Sequence, residues 1–270
     1  MNYTINIRGQ LFGLGEPKVM GIINVTPDSF YVDSRTQTAQ AVEARVRQMV
    51  ADGAQIIDIG ACSTRPGSER AAAAEEASRL RVALAAARRS ETRVALSVDT
   101  FRPDVARMAV EEYGVDIIND VDEGQPDMLR MVARLGVPYI LMSTRPTLRS
   151  TLLLFAERVQ QLRDLGQKDI ILDPGFGFGK TLEQNYELLG ALEKLQVMEL
   201  PVLVGVSRKS MIHRLLGIDP TEALNGTTAL HAIALLKGAS ILRVHDVKEA
   251  VECCRLVGQM VKPSMSENVK

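Results

Sequence analysis

Eight short apolar runs, rich in β-branched residues, recur along the 270-residue chain. Near-continuous apolar runs of this length are typical of strands that are buried on both faces of a parallel sheet. The runs are VMGIINV (19–25), IIDIG (56–60), VALSVDT (94–100), DIINDV (116–121), PYILMST (138–144), DIILDPG (169–175), PVLVGVS (201–207) and SILRVHD (240–246).

Segments with helical spacing lie between these runs. In the clearest, 39–51, apolar residues recur at three- and four-residue intervals and so share one face. The other predicted helices are 71–88, 103–112, 127–135, 151–165, 181–195 and 247–261, with two more between the seventh and eighth runs. Alternation of strand and helix indicates right-handed βαβ units.

Eight such units favour an α/β fold of the closed (β/α)₈ (TIM) barrel type. The alternative is an open, doubly wound parallel sheet. Barrels of this kind often use about 200 to 250 residues as one domain, and no linker or repeat divides the chain. We therefore predict a single domain over 1–270. Residues 1–18 would form a lead-in hairpin at the barrel floor, and 263–270 a flexible tail.

Composition excludes several classes of function. Lys plus Arg number 32 and Asp plus Glu number 33, so the net charge of −1 gives no footprint for nucleic acid. No apolar run approaches the roughly 18 residues of a membrane span, and the start lacks the apolar core of a secretory signal. Three cysteines cannot form a disulfide framework. We expect a cytoplasmic protein with neither nucleic-acid nor membrane partners.

Polar residues gather where the predicted strands end. The catalytic face of a (β/α)₈ barrel lies at the carboxyl ends of its strands. Buried polar groups need partners, so many convergent polar ends indicate a ligand site more readily than a set of separate caps. These residues are Asn24, Asp58, Asp99, Asn119, Asp173, Ser207, Arg208, Lys209, Arg243, His245 and Asp246.

Two kinds of chemistry are present among these strand ends. Asp99, Asn119 and Asp173 offer acceptor oxygens and an amide, which suit a planar heterocycle with several N–H donors. Positive charge suits a phosphate or pyrophosphate, and the last two strand loops are a common phosphate site in this fold. The residues expected to supply it are Arg65, Lys209, Arg243 and His245.

The glycine-rich stretch DPGFGFGKT (173–181) invites comparison with a P-loop. Its spacing rejects that interpretation, because three residues separate Gly175 from Gly179 where the motif requires four. We interpret it as a turn at which a ligand or another backbone segment comes close.

Taken together, the motifs resemble dihydropteroate synthase, a family of pterin-binding (β/α)₈ barrels in folate biosynthesis. The resemblance covers most of the chain, in order, through GIINVTPDSF (21–30), STRPG (63–67), SVDT (97–100), IND (118–120), DPGFGFGKT (173–181), SRKSMI (207–212) and RVHDV (243–247). It implies a transferase that joins 6-hydroxymethyl-7,8-dihydropterin pyrophosphate to p-aminobenzoate and releases pyrophosphate with the help of Mg²⁺. It also implies a homodimer.

The resemblance assigns the pterin and metal contacts residue by residue. Asp99, Asn119 and Asp173 would hydrogen-bond the edge of the pterin ring. Met142 would line the walls of the two substrate sites together with Phe178. The family's contact with Mg²⁺ and pyrophosphate falls on Asn24.

The second substrate and the leaving group are assigned in the same way. Lys209 would contact the pterin and the aminobenzoate, and Ser210 begins a helix whose N–H groups would receive the aminobenzoate carboxylate. Arg243 and His245 would bind pyrophosphate and, with Lys209 and Asp99, form the catalytic set. The loop residues with assigned roles are Phe30 and Pro66, closing over the aminobenzoate ring, and Thr64 and Arg65, ordering pyrophosphate.

Three segments depart from the family pattern: SFYVDSR follows the first strand, GACS the second and LMSTRP the fifth. All three lie on the rim, where they bear on loop closure, on the aminobenzoate site and on inhibition by aminobenzoate mimics such as sulfonamides. The alternatives left open are a pterin-dependent methyltransferase domain, a Schiff-base aldolase using Lys209, and a pterin-binding paralogue that is non-catalytic or has altered specificity.

Overall fold

The computed structural model describes residues 3–25, 35–62, 72–90 and 93–261. An antiparallel hairpin, β1 (Thr4–Ile7) and β2 (Gln10–Gly13), comes first. Eight parallel strands follow: β3 (Lys18–Asn24), β4 (Ile56–Gly60), β5 (Ala95–Asp99), β6 (Ile117–Asp120), β7 (Tyr139–Met142), β8 (Ile170–Asp173), β9 (Leu203–Val204) and β10 (Ile241–Val244).

Each parallel strand is followed by a helix, and β9 by two. The α-helices are α1 (Arg35–Ala51), α2 (Ala73–Ser90), α3 (Pro103–Tyr113), α4 (Pro126–Leu135), α5 (Leu148–Asp164), α6 (Leu182–Gly190), α7 (Ser210–Leu216), α8 (Leu224–Leu236) and α9 (Val247–Val261). Short 3₁₀ helices span Leu192–Met198 and Pro220–Glu222. In the part of the chain that is described, no helix is both long enough and apolar enough to cross a bilayer.

The sheet closes on itself. Its strand order is β8-β7-β6-β5-β4-β3-β10-β9, and the two outer strands meet through a parallel bridge between Leu172 and Val202. At this seam the amide of Leu172 donates to the carbonyl of Pro201 over 2.9 Å. The predicted (β/α)₈ barrel is confirmed, and this closure excludes the open, doubly wound sheet.

Side chains alternate between the barrel interior and the helices, as the pleat requires. The lowest interior layer is apolar and takes one side chain from each strand: Met20, Ile56, Ala95, Ile117, Ile140, Ile171, Leu203 and Ile241. Ile5 of β1 and the nearby Leu14 pack against this layer. The hairpin therefore covers the floor, at the end of the barrel opposite the carboxyl ends of the strands.

Most parallel strands are shorter than the predicted apolar runs, and two elements are shortened most. The helix predicted over 181–195 ends as an α-helix at Gly190, because the amide of Ala191 is shared between the carbonyls of Glu187 and Leu188 and the chain tightens into the 3₁₀ helix. Lys237 caps the carbonyl of Gly190. The seventh strand is only two residues long, since its chain turns away after Val204.

A charged cluster ties the hairpin to the barrel wall. The carboxylate of Asp116 is buried, and it accepts hydrogen bonds from Arg8 Nε (2.7 Å), Arg88 Nη2 (3.1 Å) and the amide of Leu96 (2.8 Å). Burial acts to raise the pKa of Asp116, but these hydrogen bonds outweigh it and hold the pKa below its ordinary value of 3.8.

We expect Asp116→Asn to lower the free energy of unfolding at pH 7 by about 2 kcal/mol, the scale of hydrogen bonds to a charged acceptor. Because the folded-state pKa is depressed, the difference is complete well above pH 3.8 and fades as the pH falls through the folded-state pKa. Urea unfolding at several pH values measures it. Asp104→Asn, at a side chain that is 89% exposed, is the matched control and should shift stability by less than about 0.5 kcal/mol. Equal curves for both variants would contradict the assignment.

Candidate active site

Above the apolar layer the barrel interior becomes polar. The side chains two residues further along several strands are Asp58 on β4, Ser97 on β5, Asn119 on β6 and Asp173 on β8, and all four are buried. Asp99 ends β5 and pairs in register with Asn119. Polar groups from β4, β5, β6 and β8 thus lie at one level of the barrel mouth.

Arg243 of β10 connects the polar side chains at this level. Its Nε donates to Asp58 Oδ2 and its Nη2 to Asp99 Oδ2, both over 2.7 Å. Asn119 Nδ2 donates to the same Asp58 oxygen over 3.0 Å. Burial acts to lower the pKa of Arg243, but the carboxylates of Asp58 and Asp99 raise it above the ordinary value, so the guanidinium stays protonated.

Burial raises the pKa of two carboxyl groups on this floor, Asp99 and Asp173. Burial raises the pKa of Asp99 to about 7, although Arg243 opposes that rise, and the like charge of Asp58 adds to it. The pKa of Asp173 is raised for the same first reason, with Lys209 opposing. A ring that donates N–H bonds to these oxygens would favour their charged forms.

Three polar atoms on this floor are buried without a hydrogen-bond partner among the described residues: Asp58 Oδ1, Ser97 Oγ and Asn119 Oδ1. Unpaired buried polar atoms cost free energy and are rare in folded proteins. Two of the three can only accept hydrogen bonds. The floor is therefore complementary to a ligand edge that carries N–H groups.

Lys209 lies beside this floor on the loop after β9. Its Nζ donates to the carbonyl of Phe176 and lies 4.6 Å from the centroid of the Phe178 ring, which is cation–π range. Burial lowers the pKa of Lys209 to about 8, while Asp173 opposes the fall. At Gly205 a Cβ would lie 3.8 Å from Nζ, so glycine leaves this side of the ammonium open.

The loop 173–181 is held in one shape by its own residues. Gly175 has φ +69°, and a Cβ there would lie 2.0 Å from the carbonyl oxygen of Ser143, so only glycine fits. Asp173 Oδ1 accepts from the amide of Gly175 over 2.7 Å. Lys180 Nζ donates to the carbonyls of Ser143, Gly175 and Phe178. Lys180 therefore stabilises the loop that carries Phe178 over Lys209.

His245 follows β10. Burial, with a further contribution from Arg243, lowers the pKa of His245 to about 4. Without a bound anion the ring is therefore neutral near pH 7, whereas positive charge was expected from the sequence. Its Nδ1 lies 3.1 Å from Ser207 Oγ.

Asn24 ends β3 beside Asp99. A Cβ on Gly60 would lie 3.6 Å from Asn24 Oδ1 and 3.3 Å from Asp99 Cβ, so the glycine leaves space next to the amide oxygen. Within the described ranges, no group of three or more His, Cys, Asp or Glu residues is arranged to hold a metal ion. A single amide oxygen suits Mg²⁺, which usually keeps water and substrate phosphate as most of its ligands.

The remaining predicted site residues divide into two groups. Met142 ends β7 and is fully buried, and Ser210 begins α7. Met142 also borders the 173–181 loop, since its Cγ lies 3.2 Å from the position a Cβ would take on Gly175. Four residues with predicted roles lie outside the described residues: Phe30, Thr64, Arg65 and Pro66.

Comparison with known proteins identifies the family. The profile of the family described as pterin binding enzyme matches residues 20–245. Dihydropteroate synthase of Escherichia coli strain K12 is 40% identical over 265 residues, which cover 93% of this chain and 94% of that protein. The enzyme of Bacillus subtilis strain 168 is 38% identical over 90% of this chain and 88% of its own length. The chain belongs to the dihydropteroate synthase family.

Solved dihydropteroate synthases share the fold. The Xanthomonas albilineans enzyme with 4-aminobenzoic acid superposes with a TM-score of 0.90 at 36% identity, covering 96% of this chain and 98% of that one. The Yersinia pestis enzyme with a pterin–sulfa conjugate gives a TM-score of 0.84 at 35% identity, with 96% and 98% covered.

Two residues of the site, Asp58 and Ser207, were named among the polar strand ends but were given no individual role. Asp58 bonds Arg243 and Asn119, and Ser207 bonds His245. The alternation of Ile56, Asp58 and Gly60 along a predicted strand was the available signal for Asp58, because it places the carboxylate on the face opposite Ile57 and Ile59.

The segment LMSTRP, which departs from the dihydropteroate synthase pattern, is held by contacts of Thr144 and Arg145 with Glu123. Glu123, on the loop after β6, accepts from the amide of Thr144 over 2.9 Å and from its hydroxyl over 2.6 Å. Its other oxygen lies 2.9 Å from Arg145 Nη2. These contacts tie the loop after β7 to the loop after β6.

We expect Asp58→Asn to lower the pKa of Asp99 from about 7, because the variant removes a neighbouring like charge and leaves Arg243 to Asp99 alone. Carboxyl ¹³C NMR titration of Asp99 measures the change. Asp164→Asn, at an exposed position on α5, is the control and should leave the titration unchanged. A constant or raised pKa in Asp58→Asn would show that Asp58 and Asp99 are not electrostatically linked.

Proposed function

We propose that this protein condenses 6-hydroxymethyl-7,8-dihydropterin pyrophosphate with p-aminobenzoate to give 7,8-dihydropteroate and pyrophosphate. The observation that carries the proposal is the buried floor with unpartnered Asp58 Oδ1 and Asn119 Oδ1 beside the cations Arg243 and Lys209. One mouth thus offers acceptors for a heterocycle and positive charge for its leaving group. The names of the relatives support the same reaction.

The pterin ring binds on the floor in this proposal. Asn119 and Asp173 accept hydrogen bonds from its N–H edge, and Asp99 completes the acceptor set. The charged carboxylates are favoured once the ring donates to them. Met142 and Phe178 form the walls against which the ring stacks.

The leaving group develops negative charge as its bond to the pterin methylene carbon breaks. Arg243 is protonated and fixed by two carboxylates, so it can stabilise this charge without reorganising. His245 donates a hydrogen bond to the same group. Arg65 is proposed to assist from its loop.

Mg²⁺ is part of the proposal. Asn24 would hold it through the amide oxygen, with pyrophosphate and water as its other ligands. When bound, the ion neutralises charge on the pyrophosphate.

The second substrate needs positioning more than activation, because an arylamine is neutral at pH 7 and already nucleophilic. Lys209 and the start of α7 at Ser210 are proposed to receive its carboxylate and orient the amine. The loops that carry Phe30, Thr64 and Pro66 would close over its ring and keep water from the reacting carbon.

One assay tests the function. Pyrophosphate and 7,8-dihydropteroate are measured with both substrates and Mg²⁺ present, and with each substrate alone. Equimolar formation of both products, only when both substrates are present, is the expected result. Pterin binding without product would favour a non-catalytic paralogue. Methyl transfer from methyl-tetrahydrofolate would favour the methyltransferase, and borohydride trapping of a carbonyl compound on Lys209 the aldolase.

We also propose that the protein is a cytoplasmic homodimer. None of its three cysteines, all of which lie among the described residues, forms a disulfide, which is consistent with a reducing compartment. Several exposed apolar side chains, each 40% to 75% accessible, lie on α7, α8 and α9, of which α8 packs against both of the others: Leu215, Leu216, Ile233, Leu236, Leu256, Met260 and Val261. Exposed apolar residues on neighbouring helices are typical of an interaction surface.

Leu236→Glu should convert the dimer to a monomer, because it places a charge within the proposed interface. Size-exclusion chromatography with light scattering measures the mass. Leu11→Glu is the matched control, since Leu11 is 82% exposed on β2, away from α8. A wild-type monomer, or an unchanged dimer in Leu236→Glu, would contradict the proposed interface.

Asp173→Asn should weaken binding of the pterin pyrophosphate about 10- to 100-fold, because the side chain loses charged acceptor capacity at the ring edge. Calorimetric titration without aminobenzoate measures this affinity. The control is Asp169→Asn, at the opposite end of β8, which also removes one charge. Unchanged affinity in Asp173→Asn would remove Asp173 from the pterin site.

Arg243→Ala should raise the barrier for pyrophosphate departure by about 2–4 kcal/mol, the scale of losing one donor to a developing anion. Turnover under saturating substrates measures it. Arg243→Lys separates charge from geometry, and it should retain part of the lost rate because it keeps the cation but loses the two-pronged contact. Arg107→Ala, at an exposed position on α3, controls for loss of an arginine. Near wild-type turnover in Arg243→Ala would contradict this role.

A further inference from the structure

Ser207, which is buried, and His245, which is half-buried, form a pair at the barrel mouth. On the adjacent strands β9 and β10, Val204 and Leu242 are paired in register. Ser207 and His245 each follow three residues later in the sequence. The backbone amide of His245 donates to Ser207 Oγ over 3.2 Å, and the same Oγ lies 3.1 Å from His245 Nδ1. Ser207 Oγ thus contacts two groups of His245, its backbone amide and its imidazole ring.

Which of these groups donates and which accepts follows from the hydrogens that each atom carries. The amide of His245 can only donate, so Ser207 Oγ accepts from it. Ser207 is 3% exposed, and a buried hydroxyl hydrogen needs an acceptor. Among the described residues, the acceptor within hydrogen-bond distance is His245 Nδ1. The hydroxyl therefore donates to Nδ1, and the proton of the neutral ring resides on Nε2.

We propose that Ser207 is a positioning residue that holds His245 in the Nε2–H tautomer, so that the ring donates Nε2–H to an oxygen of the pyrophosphate leaving group. The identity of the acceptor rests on the proposed function, whereas the tautomer does not. In the other tautomer a lone pair on Nε2 would face the anionic oxygens and repel them. Ser207 excludes that arrangement before substrate binds.

Burial is the main cause of the lowered pKa of His245, and the charges around the ring act in the same direction on balance. Arg243, Arg208 and Lys209 all oppose a positive charge on His245. Asp246 favours one, but both of its oxygens are engaged at 2.8 Å by Arg208 Nε and Nη2. The lowered pKa of His245 agrees with this balance.

The backbone around Ser207 is fixed as well. Arg208 adopts a left-handed conformation, φ 53°, which costs free energy for a residue with a side chain. Its amide donates to Thr227 Oγ1 over 3.0 Å. On the other side, Arg45 Nη2 donates to the carbonyl of His245 over 2.9 Å. The serine and the imidazole are thus held by contacts from α8 and α1.

The tautomer is read by long-range ¹H–¹⁵N NMR of the ¹⁵N-labelled full chain without substrate at pH 7. The chain has three histidines, and His245→Gln assigns the relevant signals. In the wild type we expect His245 Nδ1 to show an unprotonated, hydrogen-bonded shift and Nε2 a protonated one. Ser207→Ala should change the Nδ1 shift or introduce the second tautomer, and Ser207→Thr, which keeps the hydroxyl, should restore the wild-type pattern.

Activity supplies the second measurement. Ser207→Ala should lower kcat about 10-fold or more, the scale of one lost hydrogen bond to a charged group, and Ser207→Thr should recover most of it. Ser240→Ala removes a buried hydroxyl before the start of β10, at the opposite end of the barrel, and should leave both kcat and the His245 spectrum unchanged.

The outcomes separate the two proposals. A protonated Nδ1 in the wild type, or identical His245 spectra in wild type and Ser207→Ala, would overturn the role of Ser207. An altered tautomer in Ser207→Ala with unchanged kcat would overturn its link to the leaving group. Absence of any product from the wild type, together with the expected spectra, would overturn the proposed function and leave the tautomer assignment standing.

Discussion

The guanidinium of Arg243, held between Asp58 and Asp99 inside the barrel, is the interaction on which the site depends. A buried guanidinium costs free energy unless it is paired. The contacts of 2.7 Å with Asp58 and Asp99 provide that pairing, and Asn119 joins the network through Asp58. Asp58 Oδ1 and Asn119 Oδ1 have no partner among the described residues, so the floor is complementary to a ring with N–H donors.

The position of this network follows from the division of the barrel into two ends. The apolar layer from Met20 to Ile241, covered by the hairpin, excludes water from below. At the opposite end, the mouth, loops bring Lys209, Phe178 and the pair formed by Ser207 and His245. Because charges interact more strongly away from water, the covered floor increases what a single cation contributes above it.

Much of the fold and site was predictable because carboxyl ends of parallel strands converge. Residues at such ends, among them Asn119, Asp173 and Arg243, meet in the structure as expected from the sequence. The partners of Arg243 were not predictable, because they depend on the register between strands that are far apart in sequence. The neutral state of His245 in the absence of an anion was not predictable for a related reason, since its pKa is set by burial and by neighbours on other elements.

By itself the sequence determined the alternation of strand and helix, the closed barrel and the types of chemical group at its mouth, because these follow from local periodicity and from the order of motifs. The tertiary structure decided which groups are paired and which are left open. It joins Asp58 to Arg243, Ser207 to His245 and Glu123 to Thr144 by hydrogen bonds. Hydrogen bonding and protonation depend on distances of a few ångströms between side chains, and only the folded chain sets those distances.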